Sequence, residues 1–166
     1  MSNSSQVVLY MAVSVDGFIA GVNNETPWSD AEWEVYREFV KSCDVCLIGS
    51  RTYEVMKASD EFVDGAKYLV VTHDNSIDTD GFEKISIQSA NDMPKANRIG
   101  VIGGGELNGS LAALGVIDEI ILDVEPVTLG QGKLLFGSHS PNLNLKLLSS
   151  KQIGDSTLQN HYEVLR

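Results

Sequence analysis

Short apolar runs rich in β-branched residues recur along the chain, alternating with amphipathic or loop segments; that alternation predicts an α/β domain. Val7 to Val13 is almost continuously apolar, as expected of a central strand buried on both faces, and it ends at Ser14, Val15, Asp16 and Gly17. A long loop, Phe18 to Trp28, follows and carries Gly21, Asn23, Asn24 and Pro27. Ser29 and Glu32 then make the S-x-x-E pattern of a helix capping box. The helix predicted from there to about Ser42 places Trp33, Tyr36 and Val40 on its apolar stripe, widened by Val35 and Phe39. Glu32, Glu34, Arg37, Glu38 and Lys41 fall on its wet face.

Further strands are predicted at Asp44 to Ile48, Lys67 to Val71, Lys84 to Ile87, Arg98 to Ile102 and Glu119 to Val124. Helical segments run from Tyr53 to Ala58 and from Glu106 to Leu114, where Gly115 supplies a stop. Beyond Asp118 there is no convincing helix: Pro126, Gly130 and Gly132 break the chain, and Lys133 to Phe136, Leu143 to Leu148 and Thr157 to Leu165 read as strands. The expected sheet is mostly parallel, completed by antiparallel strands at the C-terminus. At 166 residues the whole chain fits one domain, with 1–6 as a flexible lead.

Charge narrows the partners. With 23 acidic and 12 basic residues, the net charge of −11 argues against a nucleic-acid or anionic-membrane surface, and a small-molecule partner is expected. No run approaches the roughly 20 apolar residues of a membrane span, and the polar start lacks a signal-like basic segment, so the chain reads as cytoplasmic. Cys43 and Cys46 have C-x-x-C spacing without a second pair or a histidine cluster, so no metal site is expected. Packing at the start of a buried strand is the plainer role for the pair, dithiol chemistry the other.

The candidate chemistry lies at strand ends. Gly103, Gly104 and Gly105 join an apolar strand to a helix, where backbone N–H groups and the helix dipole favour an anion; a dinucleotide pyrophosphate would suit, and so would an ordinary turn. The spacing is not that of a Rossmann G-x-G-x-x-G, because Asn108 stands where the last glycine belongs. Gly132 and Lys133 are not a P-loop, since Val127 and Leu134 occupy its other key positions. Gly49 to Thr52 repeats the order of strand, glycine, polar turn and helix. In a parallel sheet these two turns converge with Ala12 to Gly17 and with Thr72 and His73 at the carboxyl edge, where open α/β sheets bind ligands.

Those residues carry a resemblance. LIGSRTYEVM (Leu47 to Met56) and VIGGGEL (Val101 to Leu107) resemble the two cofactor motifs of the dihydrofolate reductase superfamily, and AGVNNETPW (Ala20 to Trp28) is similar to its mobile loop over the nicotinamide. SVDGFIAG (Ser14 to Gly21) and EPVTLGQGKLLF (Glu125 to Phe136) resemble the branch containing the reductase domain of bifunctional riboflavin-biosynthesis enzymes. The resemblance implies a three-layer α/β/α sandwich, a homodimer, NADPH as cofactor, and hydride transfer to a small heterocyclic or sugar-derived C=O or C=N substrate.

It also implies roles. Gly49, Thr52, Gly103, Gly104, Gly105, Glu106 and Leu107 would hold the pyrophosphate. Ser50, Arg51, Thr72 and His73 would meet the ribose 2′-phosphate, and Ala12, Ile19 and Ile102 would line the nicotinamide. Dihydrofolate reductases carry an acid five residues after the loop tryptophan, and here that position is Trp33, which disfavours folate. Asp16, at the first strand's end, is then the leading proton-handling candidate, with a local turn-holding role as its alternative. Trp28 and Asp30 complete the expected catalytic set, and Glu34 offers another relocated acid.

Overall fold

The computed structural model describes residues 4–166. Its elements are, in chain order, β1 (Gln6–Ser14), β2 (Phe18–Ala20), α1 (Asp30–Ser42), β3 (Val45–Gly49), α2 (Ser50–Ser59), β4 (Tyr68–Val71), β5 (Glu83–Ile85), β6 (Arg98–Val101), α3 (Gly105–Ala113), β7 (Glu119–Glu125), β8 (Lys133–Leu134), β9 (Asn144–Ile153) and β10 (Thr157–Leu165). A short 3-10 turn covers Ala90–Asp92. Residues 1–3 of the expected lead lie outside the described residues, while Gln6 is already in the sheet, its N–H donating to Asn97 O at 2.8 Å.

Eight strands form one sheet in the order β5-β4-β3-β6-β1-β7-β10-β9, parallel from β5 to β7, with β10 antiparallel to both its neighbours. The alternation of strand side chains divides the core in two. Val7, Leu9, Leu47, Ile99 and Val101 face α3 and its Leu107 and Leu111. Val8, Tyr10, Cys46, Ile48 and Val70 face Phe39 and Val40 of α1 and Tyr53 and Met56 of α2. The result is the expected three-layer sandwich, in which every parallel strand ends at the same edge.

The departures have local causes. The loop after β1 is not wholly irregular: β2 forms within it because β8 lies alongside, Phe18 opposite Leu134. Lys133 to Phe136 contracts to two strand residues, because the chain beyond Leu134 turns over α3. Leu143 to Leu148 extends to Ile153, because β10 supplies a partner along the whole length. Glu32, expected on the wet face of α1, is buried. Its capping box is only half made: Glu32 N donates to Ser29 Oγ at 3.2 Å, but Ser29 N donates to Glu125 at 2.7 Å rather than to Glu32.

Candidate active site

Two helices begin side by side at the carboxyl edge of the sheet. Gly49 and Gly104 occupy the N-cap positions of α2 and α3, both in extended backbone, and neither helix has a side-chain cap. The turns are tied together: Gly49 N donates to Gly103 O at 2.9 Å, and Ile102 N to Leu47 O at 3.2 Å. Gly103, whose peptide bond to Gly104 is cis, has φ +103°, which glycine adopts without a Cβ penalty. A Cβ on Gly104 would stand 3.1 Å from Thr52 Oγ1 and would occupy the space between the two helix ends. Uncapped N–H groups, two aligned dipoles and a hydroxyl therefore share one cradle, which fits a diphosphate.

Gly105 serves a different purpose from Gly104. A side chain there would collide with Leu134 O and the Gly137 backbone, and one on Gly109 with Phe136 O and His139. These two glycines, four residues apart on α3, let the 134–139 segment lie on the helix, where buried Asn108 Nδ2 donates to Leu135 O at 3.0 Å. The Glu106 carboxylate receives Ser138 N at 2.7 Å and Ser138 Oγ at 2.8 Å, bonds that hold it below the usual carboxylate range. Only the N–H of Glu106 faces the cradle's task, and Leu107 contributes backbone alone, because its side chain is in the core.

Around the cradle, Ser50 is half-buried in the first turn of α2, and Arg51 is exposed, its charge reaching Glu106. At the end of β4, Thr72 Oγ1 accepts Asp74 N at 3.1 Å, and His73 Nδ1 lies 2.6 Å from Ser86 Oγ. Ala12, Ile19 and Ile102 are all buried, on β1, on β2 and just after β6.

The sequence reading missed a buried acid cluster behind this wall. Tyr10 and Ala12 share a face of β1, and Ala12 stands in register with Asp123 of β7. The Tyr10 hydroxyl donates to Asp123 Oδ2 and lies 3.4 Å from Glu32 Oε1, while Gln159 Nε2 donates to Asp123 Oδ1 at 2.9 Å. Glu32 is 2% and Asp123 0% exposed. Burial, then the Asp123 charge, pushes the Glu32 carboxyl up to about 8, and burial raises Asp123 as well. Glu125 accepts Thr157 Oγ1 at 2.5 Å and both donors of Ser29. The only sequence signal was the glutamate of an S-x-x-E box, which reads as a cap.

Asp16 does not join this cluster. It is exposed and accepts Ser14 Oγ at 2.6 Å, Leu129 N at 3.0 Å and Gly130 N at 2.7 Å, bonds that depress its carboxyl. A carboxylate kept ionised in this way anchors the 127–130 segment and is a poor proton donor, so the local-holding alternative describes its geometry. Asp30 and Glu34 are exposed on α1, and Trp28 is half-buried just before the cap. Trp33 meets Tyr36 edge-to-face and lines a groove between α1 and the segment after α2 with Arg37, Lys41 and Phe62.

The three layers and the paired glycine turns define a dihydrofolate reductase-like α/β/α fold. The structure of dihydrofolate reductase from Enterococcus faecalis complexed with NADP(H) superposes with TM-score 0.73 at 15% identity, covering 96% of each chain. RibD from Acinetobacter baumannii superposes with TM-score 0.78 at 17% identity, over 99% of this chain and 59% of that longer one. Residues 87–159 match the model of the RibD C-terminal domain. The uncharacterized protein YwjB of Bacillus subtilis is 31% identical over 170 residues, covering 95% of this chain and 97% of its own. This chain belongs to one family with YwjB, and its segment 87–159 is similar to the RibD C-terminal domain. Among the described residues no helix is long and apolar enough to cross a membrane.

Proposed function

We propose that the protein is an NADPH-dependent reductase acting on a small heterocyclic or sugar-derived C=O or C=N, of the type handled by 5-amino-6-(5-phosphoribosylamino)uracil reductases. The observation that carries this reading is the pair of uncapped helix ends meeting across Gly49 and Gly104. NADPH, when bound, supplies the hydride. The N–H groups at the starts of α2 and α3, with Thr52, hold the diphosphate, and Arg51 with Thr72 and His73 takes the 2′-phosphate through charge-assisted bonds. Ala12, Ile19 and Ile102 shape an apolar wall for the nicotinamide. Asp16 fixes the 127–130 segment against the end of β1, helping to exclude water.

The proton comes from the cluster behind that wall. Glu32 is neutral at physiological pH and Tyr10 stands between it and Asp123, so one proton is stored within the packed face of the sheet. The exposed Leu145 and Leu147 of β9 offer a face on which two copies would pair.

Loss of nicotinamide absorbance with pyrimidine, pterin and carbonyl substrates tests the reading. Turnover with NADPH supports it, whereas tight NADPH binding without turnover of any of them would make the chain a cofactor-binding sensor. One observation favours a second reading, pterin reduction with a relocated acid: Glu32, one residue before Trp33, is a buried carboxyl on α1. Dihydrofolate turnover lost in Glu32→Gln would select that reading.

A further inference from the structure

At the other end of α1, away from the cradle, lies a second constellation that the reductase reading leaves unused. Cys43 caps the helix C-terminus and is half-buried; Cys46, in β3, is buried. Both sulfurs turn toward Gly100 of β6: a Cβ there would stand 2.9 Å from Cys43 Sγ and 3.3 Å from Cys46 Sγ, so only glycine leaves room for the pair. Arg98, two residues earlier on the same strand, lays its guanidinium over the Phe39 ring at 5.5 Å. Its Nη1 donates to Gln6 Oε1 at 2.9 Å, while its Nε is buried without a partner. The neighbouring carboxylate, Asp44, is occupied by the N–H groups of Asn97 and Arg98 at 2.8 and 2.9 Å. A hydrogen-bonded thiolate at Cys43 would answer the cation and its spare N–H together.

We propose that Cys43 and Cys46 are a reversible dithiol site, with Cys43 the attacking thiol and Cys46 the resolving one, and low-molecular-weight disulfides as the oxidant class. The Cys43 thiolate attacks one sulfur of the disulfide; a new S–S bond forms, the old one breaks, and one thiolate leaves. Cys46 then gives its proton to that leaving thiolate, and its sulfur attacks Cys43 Sγ, breaking the mixed disulfide and releasing the second thiolate, which takes a proton from water. The two cysteines lose two electrons, and the small disulfide gains them. In the reduced state the Cys43 thiol donates to Phe39 O at 3.4 Å and the Cys46 thiol to Val40 O at 3.9 Å. The environment matches the two roles: the adjacent Cys46 thiol and the Arg98 charge bring the Cys43 thiol down to about 7, while the adjacent Cys43 sulfur, then burial, raises Cys46. Capping Cys43 removes the first cause holding Cys46 protonated.

The whole reduced protein, kept folded and exposed to oxidised glutathione, is quenched with an alkylating agent and mapped on the tryptic peptide spanning Ser42 to Arg51. The wild type is expected to lose two hydrogens and gain an internal Cys43–Cys46 bond. Cys46→Ser is expected to stop as a glutathione adduct on Cys43, and Cys43→Ser to stay unmodified while folded. In the wild type below pH 7, iodoacetamide should label Cys43 several-fold faster than it labels the urea-unfolded chain, and Arg98→Met should remove most of that excess. Thiols that survive oxidised glutathione in the folded wild type, or an adduct on Cys43 that never resolves to the internal bond, would overturn the proposal.

Discussion

The three long helices start in two different ways. At α1 the N-terminus is closed: Ser29 accepts from Glu32 N, and Glu125 and Thr157 surround the cap with oxygens supplied by β7 and β10. At α2 and α3 the N-terminus is open, with glycine at each cap and the two backbones pressed together. Glycine at a cap leaves the helix N–H groups without a side-chain acceptor, at a cost of only about a few tenths of a kcal/mol relative to a capping side chain. The chain thus surrounds one helix start with three polar side chains and leaves two bare at the same sheet edge, where their N–H groups stay open to a ligand. The contrast in electrostatics is sharper still, since acids crowd the closed end whereas Arg51 stands by the open ones.

The substitution expected to disturb this contrast most is Gly104→Asp. The extended backbone accepts any residue, aspartate is a good N-cap, and the new carboxylate fills the space beside Thr52. NADPH affinity by titration calorimetry should fall about 100-fold, the loss of two charge-assisted bonds, with little change in melting temperature. Of similar size, but at the closed end, Glu32→Gln should lower turnover on the order of 100-fold and leave the NADPH Kd unchanged. The same variant carries a pH signature. Glu32 ionises near 4.5 when unfolded and near 8 when folded, so the folded state holds the extra proton between those values and stability falls as pH rises through that window. Asp123 is raised in the same direction. Melting temperature should therefore drop from pH 5 to pH 9 in the wild type and drop less in Glu32→Gln.

Smaller effects separate ligand from scaffold. Arg51→Ala should weaken NADPH roughly tenfold and NADH hardly at all; equal weakening would deny Arg51 the 2′-phosphate. Gly105→Ala should leave the cradle open yet cost about 1–3 kcal/mol by pushing on Leu134 O and Gly137, read as a lower melting temperature. Ser29→Ala should cost about 1 kcal/mol and leave cofactor affinity untouched.

Much of the fold was legible because its central strands are apolar on both faces and α1 carries a period-3.6 stripe. The edge that gathers Ala12, Gly49 to Thr52, Thr72 and Gly103 to Leu107 follows from parallel strands alone. What the sequence could not display was direction. Gly103, Gly104 and Gly105 look alike in sequence, yet a Cβ on Gly104 points into the cradle and one on Gly105 into the 134–137 segment. Glu32 and Glu34 look alike as helix acids, yet one turn of α1 aims Glu32 at Tyr10. Asp16 stood at the right strand end, but three donors had claimed it. Each of these depends on residues distant in sequence: Thr52 for Gly104, Leu134 for Gly105, Tyr10 for Glu32 and Leu129 for Asp16.

Amide chemical shifts of the labelled protein, followed by NMR while NADPH is added, address the contrast between helix ends directly. The largest shifts should fall on Arg51, Thr52, Gly104, Gly105 and Glu106, with Asp30, Ala31 and Glu32 at the closed start of α1 moving far less. Shifts that spare Gly104 and Gly105, or that are as large at Asp30 and Ala31, would contradict the assignment of the two open ends to the cofactor diphosphate.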